Sequence, residues 1–438
     1  MGHPGSEKAC RLVIGVMSCK TSHEPKPCVG IRVMLYSHDS FGLGHLRRNL
    51  AIAGEITRSF PGASAMIVTG SPCANRFELP DGTDLIKIPS ITKDNNGRYV
   101  TDSFGGSLET TLRFRGRVIL ETYRAFSPDL IIIDHQPTGL KGEAVGLLRE
   151  AKENGTKLFF GMRDVVDSPE VVRRDWDNPE CRWALNQCYD QVCIYGKQDI
   201  FDPRKAYAPL LGNLRRCEFV GFIVSEKKDQ SAQVRRVKKK RVLVTFGGGN
   251  DGAERAEHYL AALGLQPVSW DSHVVTGPLM SSDLVRRLRE KAHKVSPVGS
   301  VSIKRFHRNL PQLMSQFDAI VSMAGYNSCA EILQSGVPAV FLPRSFPRQE
   351  QLIRAVRLAQ RGWAITMPQE RPDPYCLIEA IETAIQRPRA LESGADLDGL
   401  RNLSNLIGEH FAMAPSRSGD RCVPESVAAS GRGEQLAP

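Results

Sequence analysis

The chain of 438 residues is predicted to form two α/β domains, each built on a doubly wound parallel sheet, that face each other across a cleft. Its length fits two domains of roughly 200 residues better than a single core. In both halves, apolar runs rich in Val, Ile and Leu alternate with helical stretches, as in parallel strands that are covered on both faces. A polar, basic segment separates the halves, and ligands of such sheets bind beyond the carboxyl ends of the strands.

The first domain is predicted over residues 30–224. Its strands are expected in the runs IRVMLYSH, SAMIVTG, LIIIDH and KLFFGMRD. A helix is expected in LRRNLAIAGEITRSF, where Leu46, Leu50, Ala53 and Phe60 fall near one stripe. Residues 1–29 show no sustained periodicity and are predicted to be a disordered extension.

A basic linker is predicted over residues 225–240. From Ser225 to Arg241 the chain has eight Lys or Arg against Glu226 and Asp229, which supplies more than half of the net charge of +10. A solvated linker between domains explains this run more simply than a nucleic-acid groove, so no nucleic-acid partner is predicted. Attraction to phosphate or to an anionic membrane surface stays open as an alternative.

The second domain is predicted over residues 241–412. Its strands are expected in RVLVTFGGG, SHVVTG, AIVSMAG and PAVFLPR. The tail at 413–438 is rich in small residues, Pro and Gly, and is predicted to be disordered. The eleven cysteines form no C-x-x-C pair, and no apolar run reaches the length of a membrane span or a signal-peptide core, so a cytoplasmic protein is expected.

The stretch FGLGHLRR lies at the first strand-to-helix turn. Gly42 and Gly44 allow a tight turn close to a ligand, and the start of the helix favours anionic or electron-rich oxygen. His45 at this position is a candidate base, or else a hydrogen-bonded structural histidine. Asp134 and Asp164, at the ends of later strands, are reserve bases, although Asp134 has an alternative role in capping the following turn.

Two glycine turns mark the second domain. Gly247, Gly248 and Gly249 follow a strand and precede a helix, so their amides are expected to approach a phosphate, with a plain flexible turn as the alternative. Gly325 opens a turn before a short helix predicted from about Ser328 to Gln334. Glu331 in that helix either completes a capping box with Ser328 or accepts hydrogen bonds from a ribose diol.

Together these residues resemble a known family. The half from about Val242 to Trp363, with SMAGYNSCAEILQSGVPAVFLPR and then RQEQLIRA, is similar to the donor-binding domain of inverting GT-B glycosyltransferases related to the enzyme that adds N-acetylglucosamine to the lipid-linked peptidoglycan precursor. The stretch YSHDSFGLGHLRRN resembles a subgroup of predicted bacterial glycosyltransferases. The GT-B fold has two Rossmann-like domains that face a cleft.

The resemblance implies a role for each matching residue. Gly247, Gly248 and Gly325 would surround the donor diphosphate, and Glu331 would hold the ribose. The remaining implied positions are Glu350 and Gln351 at the donor sugar, His307 at the nucleotide base and His45 near the reacting carbon. In the peptidoglycan enzyme a glutamine is usual at the position of Glu350, and an arginine is usual at the position of Met323. These two differences leave the identity of the donor sugar and of its nucleotide open, and a UDP-linked donor is expected.

The function expected from these observations is inverting transfer of a sugar from a nucleotide-sugar donor to a hydroxyl acceptor, without a metal or cofactor. Glycine-loop amides and helix dipoles can stabilise a departing diphosphate without a cation. The D-x-D patterns at Asp175/Asp177 and Asp396/Asp398 are attributed to chance. A nucleotide-sugar hydrolase or 2-epimerase, and a nucleotide sensor or scaffold without turnover, are the alternatives.

A basic helix offers a second partner. Arg113, Arg115, Arg117 and Arg124 stand among apolar residues, as in a helix resting on an anionic membrane. An ordinary exposed helix face is the simpler interpretation, and peripheral membrane contact is the alternative.

Overall fold

The computed structural model describes residues 30–38, 43–93, 98–101, 105–208, 210–211, 216–225, 239–249, 251–295, 300–307, 309–389 and 394–412. The predicted disordered ends at 1–29 and 413–438 lie outside these residues, as do Gly42 and most of the predicted linker. The limits given to those segments therefore stay predictions.

In the described part of the first half, seven parallel strands form one sheet in the order β3-β2-β1-β6-β7-β8-β9. The strands of this half are β1 (Arg32–Ser37), β2 (Ser64–Thr69), β3 (Thr83–Lys87), β4 (Ile91–Lys93), β5 (Tyr99–Thr101), β6 (Leu130–Asp134), β7 (Lys157–Arg163), β8 (Gln191–Tyr195) and β9 (Cys217–Phe219). β4 and β5 form a separate antiparallel pair. The helices are α1 (Gly44–Ser59), α2 (Leu108–Phe126), α3 (Val145–Glu153), α4 (Pro169–Trp176), α5 (Pro179–Trp183) and α6 (Pro203–Ala206).

In the described part of the second half, six parallel strands form a second sheet in the order β12-β11-β10-β13-β14-β15. These strands are β10 (Lys240–Thr245), β11 (Trp270–Val275), β12 (Val301–Lys304), β13 (Ala319–Ser322), β14 (Ala339–Phe341) and β15 (Ile365–Thr366). The helices are α7 (Ala253–Leu263), α8 (Ser282–Val295), α9 (Leu310–Leu313), α10 (Tyr326–Ser335), α11 (Glu350–Gln360), α12 (Pro374–Gln386) and α13 (Gly399–Phe411). The eight strands predicted from apolar runs are all present.

Both central strands are buried on each face, which explains their unbroken apolar sequences. β6 is buried at all five positions and β13 at all four. One apolar cluster belongs to the first half and one to the second, while a third runs through both halves by way of α1, α10 and the segment Val220–Val224. The two sheets are therefore joined through a shared core beside the cleft as well as by the chain itself.

The last helix differs from the predicted division of the chain. α13 lies within the stretch assigned to the second domain, but it packs against α1 of the first. The His410 ring meets the Phe159 ring edge-on at 4.8 Å, and the Asn402 side chain donates to the Val220 carbonyl at 2.9 Å. The backbone N–H of Phe222 donates to the Asp396 carbonyl at 2.7 Å, which ties the two chain segments together. Residues 394–412 thus complete the first domain, because α1 leaves an apolar face that α13 covers.

The basic helix is not a uniform exposed face. In α2, Arg115 is fully buried and forms a two-pronged ion pair with Glu143, with nitrogen–oxygen distances of 2.6 and 2.7 Å. Arg124 pairs with Glu150, and Arg113 pairs with Glu109. Arg115 therefore cannot meet a membrane. Across the described ranges, no helix has the length and apolar character needed to cross a bilayer.

Candidate active site

A cavity of about 230 Å³ lies between the carboxyl ends of the two sheets. Its first-domain wall comes from the start of α1 and the end of β7. Its second-domain wall comes from the turns after β10 and β13 and from the start of α11. Of the predicted site residues, those that line this cavity are Gly44, His45, Gly247, Gly248, His307, Gly325, Glu331, Glu350 and Gln351. The two halves of the chain thus contribute to one shared hollow.

His45 and Asp134 form a buried pair on the first-domain wall. His45 is in the first turn of α1, and Asp134 is the last residue of the neighbouring strand β6. The imidazole Nδ1 lies 2.6 Å from the Asp134 carboxylate. Because a carboxylate can only accept, Nδ1 donates in this pair, and Nε2 is the ring nitrogen that can take a proton from a ligand. The Arg48 guanidinium also lies 2.9 Å from Nδ1. Asp134 thus orients the ring. Its carboxylate contacts His45 and does not cap the following turn, which was the alternative role.

Arg48 completes this group and was not found from the sequence. Its guanidinium contacts both carboxylate oxygens of Asp134, at 2.6 and 2.9 Å, and lies over the rings of Tyr195 and Tyr326. Burial alone would raise the pKa of Asp134, but the charge of Arg48 and the contact with His45 hold it below its usual range. Asp134 therefore stays ionised. The sequence did contain a signal for Arg48. It lies three residues after His45, and this spacing places both side chains on one face of a helix.

Two more histidines stand beside His45. The His45 ring centroid lies 5.3 Å from that of His38 and 5.0 Å from that of His135. Burial, followed by repulsion from nearby positive groups, lowers the pKa of both His38 and His135 well below the usual value, so both rings are neutral at pH 7. They follow β1 and β6 directly, so the adjacency of these strands brings them together.

The second-domain wall has two glycine turns at the cavity. Gly247 has a φ of +60°, a backbone conformation that favours glycine, and Gly325 is the residue before α10, with no atom within 4 Å of where a Cβ would stand. Gly325 therefore leaves open space at the N-terminus of a ten-residue helix. Gly249 differs from the prediction. Its amide donates to the Phe246 carbonyl and a Cβ there would meet the Thr276 carbonyl at 2.4 Å, so Gly249 serves the packing of the turn and does not line the cavity.

Glu331 lies in the middle of α10, where its carboxylate pairs with Arg47 of the first domain. The capping-box alternative is wrong, because α10 begins at Tyr326 and Ser328 is already inside the helix. Burial raises the pKa of Glu331 and the charge of Arg47 opposes that rise. The pair places a carboxylate on the cavity wall and bridges the two domains. Its role toward a ribose remains a prediction.

Glu350 and Gln351 begin α11 and are both buried, so they are not part of a solvated charged face. Glu350 accepts from the Arg344 guanidinium at 2.8 Å, and Gln351 accepts from the Arg344 backbone N–H at 3.2 Å. Arg344 also pairs with Asp251 at 2.7 Å and was not singled out from the sequence. One oxygen of Glu350 has no hydrogen-bond partner, which leaves an acceptor within reach of the cavity.

Asp164 is not a base in this cavity. Both it and Arg354 are fully buried, with a closest nitrogen–oxygen distance of 2.8 Å, and they join the end of β7 to α11 across the domain boundary. Asp167 makes a second such link, accepting from Arg348 at 3.1 Å. The reserve role for Asp164 is therefore wrong, because its carboxylate is fully engaged by an arginine of the other domain.

Of the remaining predicted positions, His307 lines the cavity, whereas the D-x-D patterns do not. Nδ1 of His307 accepts from the Asn309 backbone at 3.3 Å, and the Asn327 side chain donates to the Gly44 carbonyl at 3.0 Å, another contact between domains. Met323 is buried and lines the cavity. Of the D-x-D patterns, Asp175 pairs with Arg348 at 2.8 Å. Within the described ranges no group of three or more His, Cys, Asp or Glu side chains has the arrangement to hold a metal ion.

Comparison with known proteins agrees with this geometry. Residues 274–404 match the glycosyltransferase family 28 C-terminal domain. The UDP-N-acetylglucosamine–N-acetylmuramyl-(pentapeptide) pyrophosphoryl-undecaprenol N-acetylglucosamine transferase of Leuconostoc citreum is 28% identical over 181 residues, which are 40% of this chain and 47% of the relative. The same-named transferase of Bacillus licheniformis is 25% identical over 216 residues, which are 48% of this chain and 56% of the relative. The chain thus spans about half the length of the curated relatives that it matches.

Solved structures share the fold over most of the chain. MurG of Acinetobacter baumannii matches with a TM-score of 0.53 and 15% identity, over 86% of this chain and 99% of that one. A UGT transferase of Siraitia grosvenorii, solved with UDP, matches with a TM-score of 0.58 and 13% identity, over 87% of this chain and 100% of that one. The predicted fold, two Rossmann-like domains facing a cleft, is confirmed.

Proposed function

We propose that this chain, a GT-B protein related to the family 28 glycosyltransferases, transfers a sugar from a UDP-linked donor to a hydroxyl acceptor, with inversion at the anomeric carbon and without a metal ion. The relatives named above are transferases of a UDP-linked sugar, which supports the donor class. One observation carries the proposal: a single cavity unites the His45–Asp134 pair of one domain with the glycine turns and Glu331 of the other.

In the proposed reaction, Nε2 of His45 takes the proton of the acceptor hydroxyl. The oxygen then attacks the anomeric carbon from the face opposite the departing group, and the bond between that carbon and the diphosphate oxygen breaks. Asp134 holds the ring through Nδ1 at 2.6 Å and stabilises the imidazolium that forms. A base positioned on the far side of the sugar from the diphosphate is what direct displacement with inversion requires.

The leaving group is a nucleoside diphosphate, whose new negative charge needs donors. We assign these to the backbone at Gly247 and Gly248 and to the amides at the start of α10 beside Gly325. Unpaired amides at a helix N-terminus and the positive end of its dipole favour an anion. Such fixed donors are a large source of transition-state stabilisation. On this account no divalent cation is required.

The test is a donor panel with product analysis. The chain is incubated with UDP-glucose, UDP-N-acetylglucosamine and their GDP and dTDP counterparts, together with a mixture of hydroxyl acceptors, and released nucleoside diphosphate is measured with and without EDTA. We expect release that depends on an acceptor, that is unchanged by EDTA, and that yields the inverted anomer by proton NMR. Retention of configuration, or loss of activity in EDTA that Mg²⁺ or Mn²⁺ restores, would contradict the mechanism.

The same assay separates the alternative functions. Full-rate consumption of the donor in the absence of any acceptor would assign the site to a hydrolase or 2-epimerase. Nucleotide binding without turnover of any donor would assign it to a sensor or scaffold. Membrane contact by α2 or by the basic linker is a separate prediction, which co-sedimentation with anionic vesicles tests.

A further inference from the structure

An arginine on the first-domain wall of the cavity has no acidic partner. Arg163 is the last residue of β7 and lines the cavity. The other cavity arginines are each matched to a carboxylate: Arg47 to Glu331, Arg48 to Asp134 and Arg344 to Glu350. Among the residues that the structure describes, no carboxylate lies within ion-pair distance of Arg163.

The neighbours of Arg163 cannot neutralise it. Its guanidinium lies 3.2 Å from Nε2 of His135. Because a guanidinium only donates, that nitrogen must accept, so the imidazole is neutral and carries its proton on Nδ1. His38 stacks on His135 with ring centroids 6.1 Å apart and is also neutral at pH 7. Nε of Arg163 is buried and has no hydrogen-bond partner.

The charge persists in this setting. Burial lowers the pKa of Arg163 to about 10. The attraction of Glu350 and Asp134, neither of which is close enough for an ion pair, opposes this change, and repulsion from Arg354 and Arg48 adds to it. The group is therefore still a cation at pH 7. Arg163 is partly buried, and a cation that has lost part of its hydration is usually paired with a carboxylate. A partly buried cation that lines a ligand cavity and has no ion-pair partner among the described residues indicates that the ligand brings a counter-charge.

The position of Arg163 indicates which substrate carries that charge. The glycine turns assigned to the donor diphosphate belong to the second domain. Arg163 instead shares the first-domain wall with His45, since β1, β6 and β7 are neighbours in the sheet and their carboxyl ends meet. A group bound here lies beside the base that deprotonates the acceptor.

We infer that Arg163 forms an oxyanion site for the acceptor, binding a carboxylate or a phosphate group that the acceptor carries near its reacting hydroxyl. The inference deepens the proposed function and rests on it. An arginine suits this task because its planar fork matches both oxyanions. His135 positions the fork through its Nε2 contact.

The experiment compares the full chain with Arg163→Gln in two measurements. Calorimetry gives the affinity for UDP. With UDP saturating, ligand-observed NMR then gives the affinities for benzoate and for inorganic phosphate, as the carboxylate and phosphate probes. Because hydrogen bonds to a charged group are stronger than those between neutral groups, we expect Arg163→Gln to bind one or both anions at least about tenfold more weakly. UDP affinity should stay within about twofold. The anion that responds identifies the acceptor class.

Two further variants control for charge and folding. Arg113→Gln removes an exposed arginine of the same domain and should leave anion binding unchanged. Arg163→Lys keeps the positive charge and should retain part of the anion affinity. Without ligand, Arg163→Gln should unfold at the same or a higher temperature than the wild type, because it removes an unmatched charge. An arginine with a purely structural role would instead cost stability.

Several outcomes would overturn the inference. One is equal anion binding by the wild type and Arg163→Gln, and another is no binding of either anion by the wild type. A tenfold loss of UDP affinity in Arg163→Gln would assign the arginine to the donor diphosphate instead. If the wild type fails to bind UDP, the proposed function fails by itself, and the anion titrations on the ligand-free protein still test whether Arg163 is an anion site.

Discussion

The buried ion pair between Asp164 and Arg354 allows a quantitative test of how the two domains are held together. Both side chains are fully buried, and they belong to different domains. Besides Asp164, the Arg354 guanidinium donates to the carbonyls of Ala324 at 3.0 Å and Val165 at 3.2 Å. Arg354→Met fills a similar volume but leaves the Asp164 carboxylate buried without its partner.

The expected cost is large. Removing one member of a buried pair typically destabilises a protein by about 3–5 kcal/mol, because an uncompensated charge is left behind. Asp164→Asn should cost less, although it removes the counter-charge of Arg354, since the amide oxygen and the Ala324 and Val165 carbonyls can still accept from the guanidinium. The double variant should cost less than the sum of the single variants, because Arg354→Met is harmful mainly through the charge that Asp164→Asn removes.

Equilibrium unfolding in urea measures these differences. Buried Trp176 and Trp270 lie in the first and second domains, so tryptophan fluorescence responds to both, and far-UV circular dichroism provides a second probe. Arg113→Met is the matched control, because its exposed pair with Glu109 should contribute less than about 1 kcal/mol. A loss below about 1 kcal/mol for Arg354→Met, or full additivity in the double variant, would refute this account of the pair.

Three other expectations concern the site. His45→Gln should lower kcat by about 10²–10⁴-fold, since it removes a base that acts only in the chemical step. UDP affinity measured by calorimetry should stay unchanged. Full turnover by this variant would eliminate His45 as the base. Glu331→Gln should weaken UDP binding by about tenfold, because it weakens the hydrogen-bond acceptor proposed for the ribose. An unchanged dissociation constant for UDP would show that this carboxylate pairs with Arg47 and does not bind the ribose. Lowering the pH from 7 to 5 should reduce the free energy of unfolding by up to about 2 kcal/mol for each of His38 and His135, whose pKa values are lowered in the folded state. Below pH 6.5 these two histidines bind more protons in the unfolded chain than in the folded one. Their contribution to the free energy of unfolding is therefore complete above that pH and is lost progressively below it. The His38→Gln/His135→Gln variant should show a flatter pH profile in urea titrations, and a profile parallel to that of the wild type would contradict the assignment.

The fold was readable from the sequence because parallel strands buried on both faces are locally distinctive. Every apolar run that predicted a strand in either half became one, including the five fully buried residues of β6. The glycine turns were readable for a similar reason, since a glycine after a strand and before a helix marks a close approach of the backbone. The same pattern did not separate Gly247, at the cavity, from Gly249, which packs against a neighbouring turn.

What the sequence did not reveal depends on contacts between distant segments. Asp134 and Asp164 both stand at the carboxyl end of a strand. Asp164 pairs with Arg354, 190 residues further along the chain, whereas Asp134 contacts His45. Local pattern carries no information on which partner each carboxylate finds. Arg163 was missed for the opposite reason, because its significance is that no carboxylate of the described residues forms an ion pair with it, which only the assembled cavity can show.

The return of α13 to the first domain also brings two distant parts of the chain together at the domain boundary. The segment Val220–Val224, which follows the first sheet, lies beside residues 394–412, which follow the second sheet, and the Phe222 backbone N–H donates to the Asp396 carbonyl at 2.7 Å. Both flanks of the second sheet are therefore anchored on the first domain, so a shift of one domain against the other has to disturb this junction as well as the cleft. Any widening of the cleft would also break the polar links that Asp164, Asp167 and Glu331 make to the opposite domain, so these three carboxylates hold the two walls of the cavity in register.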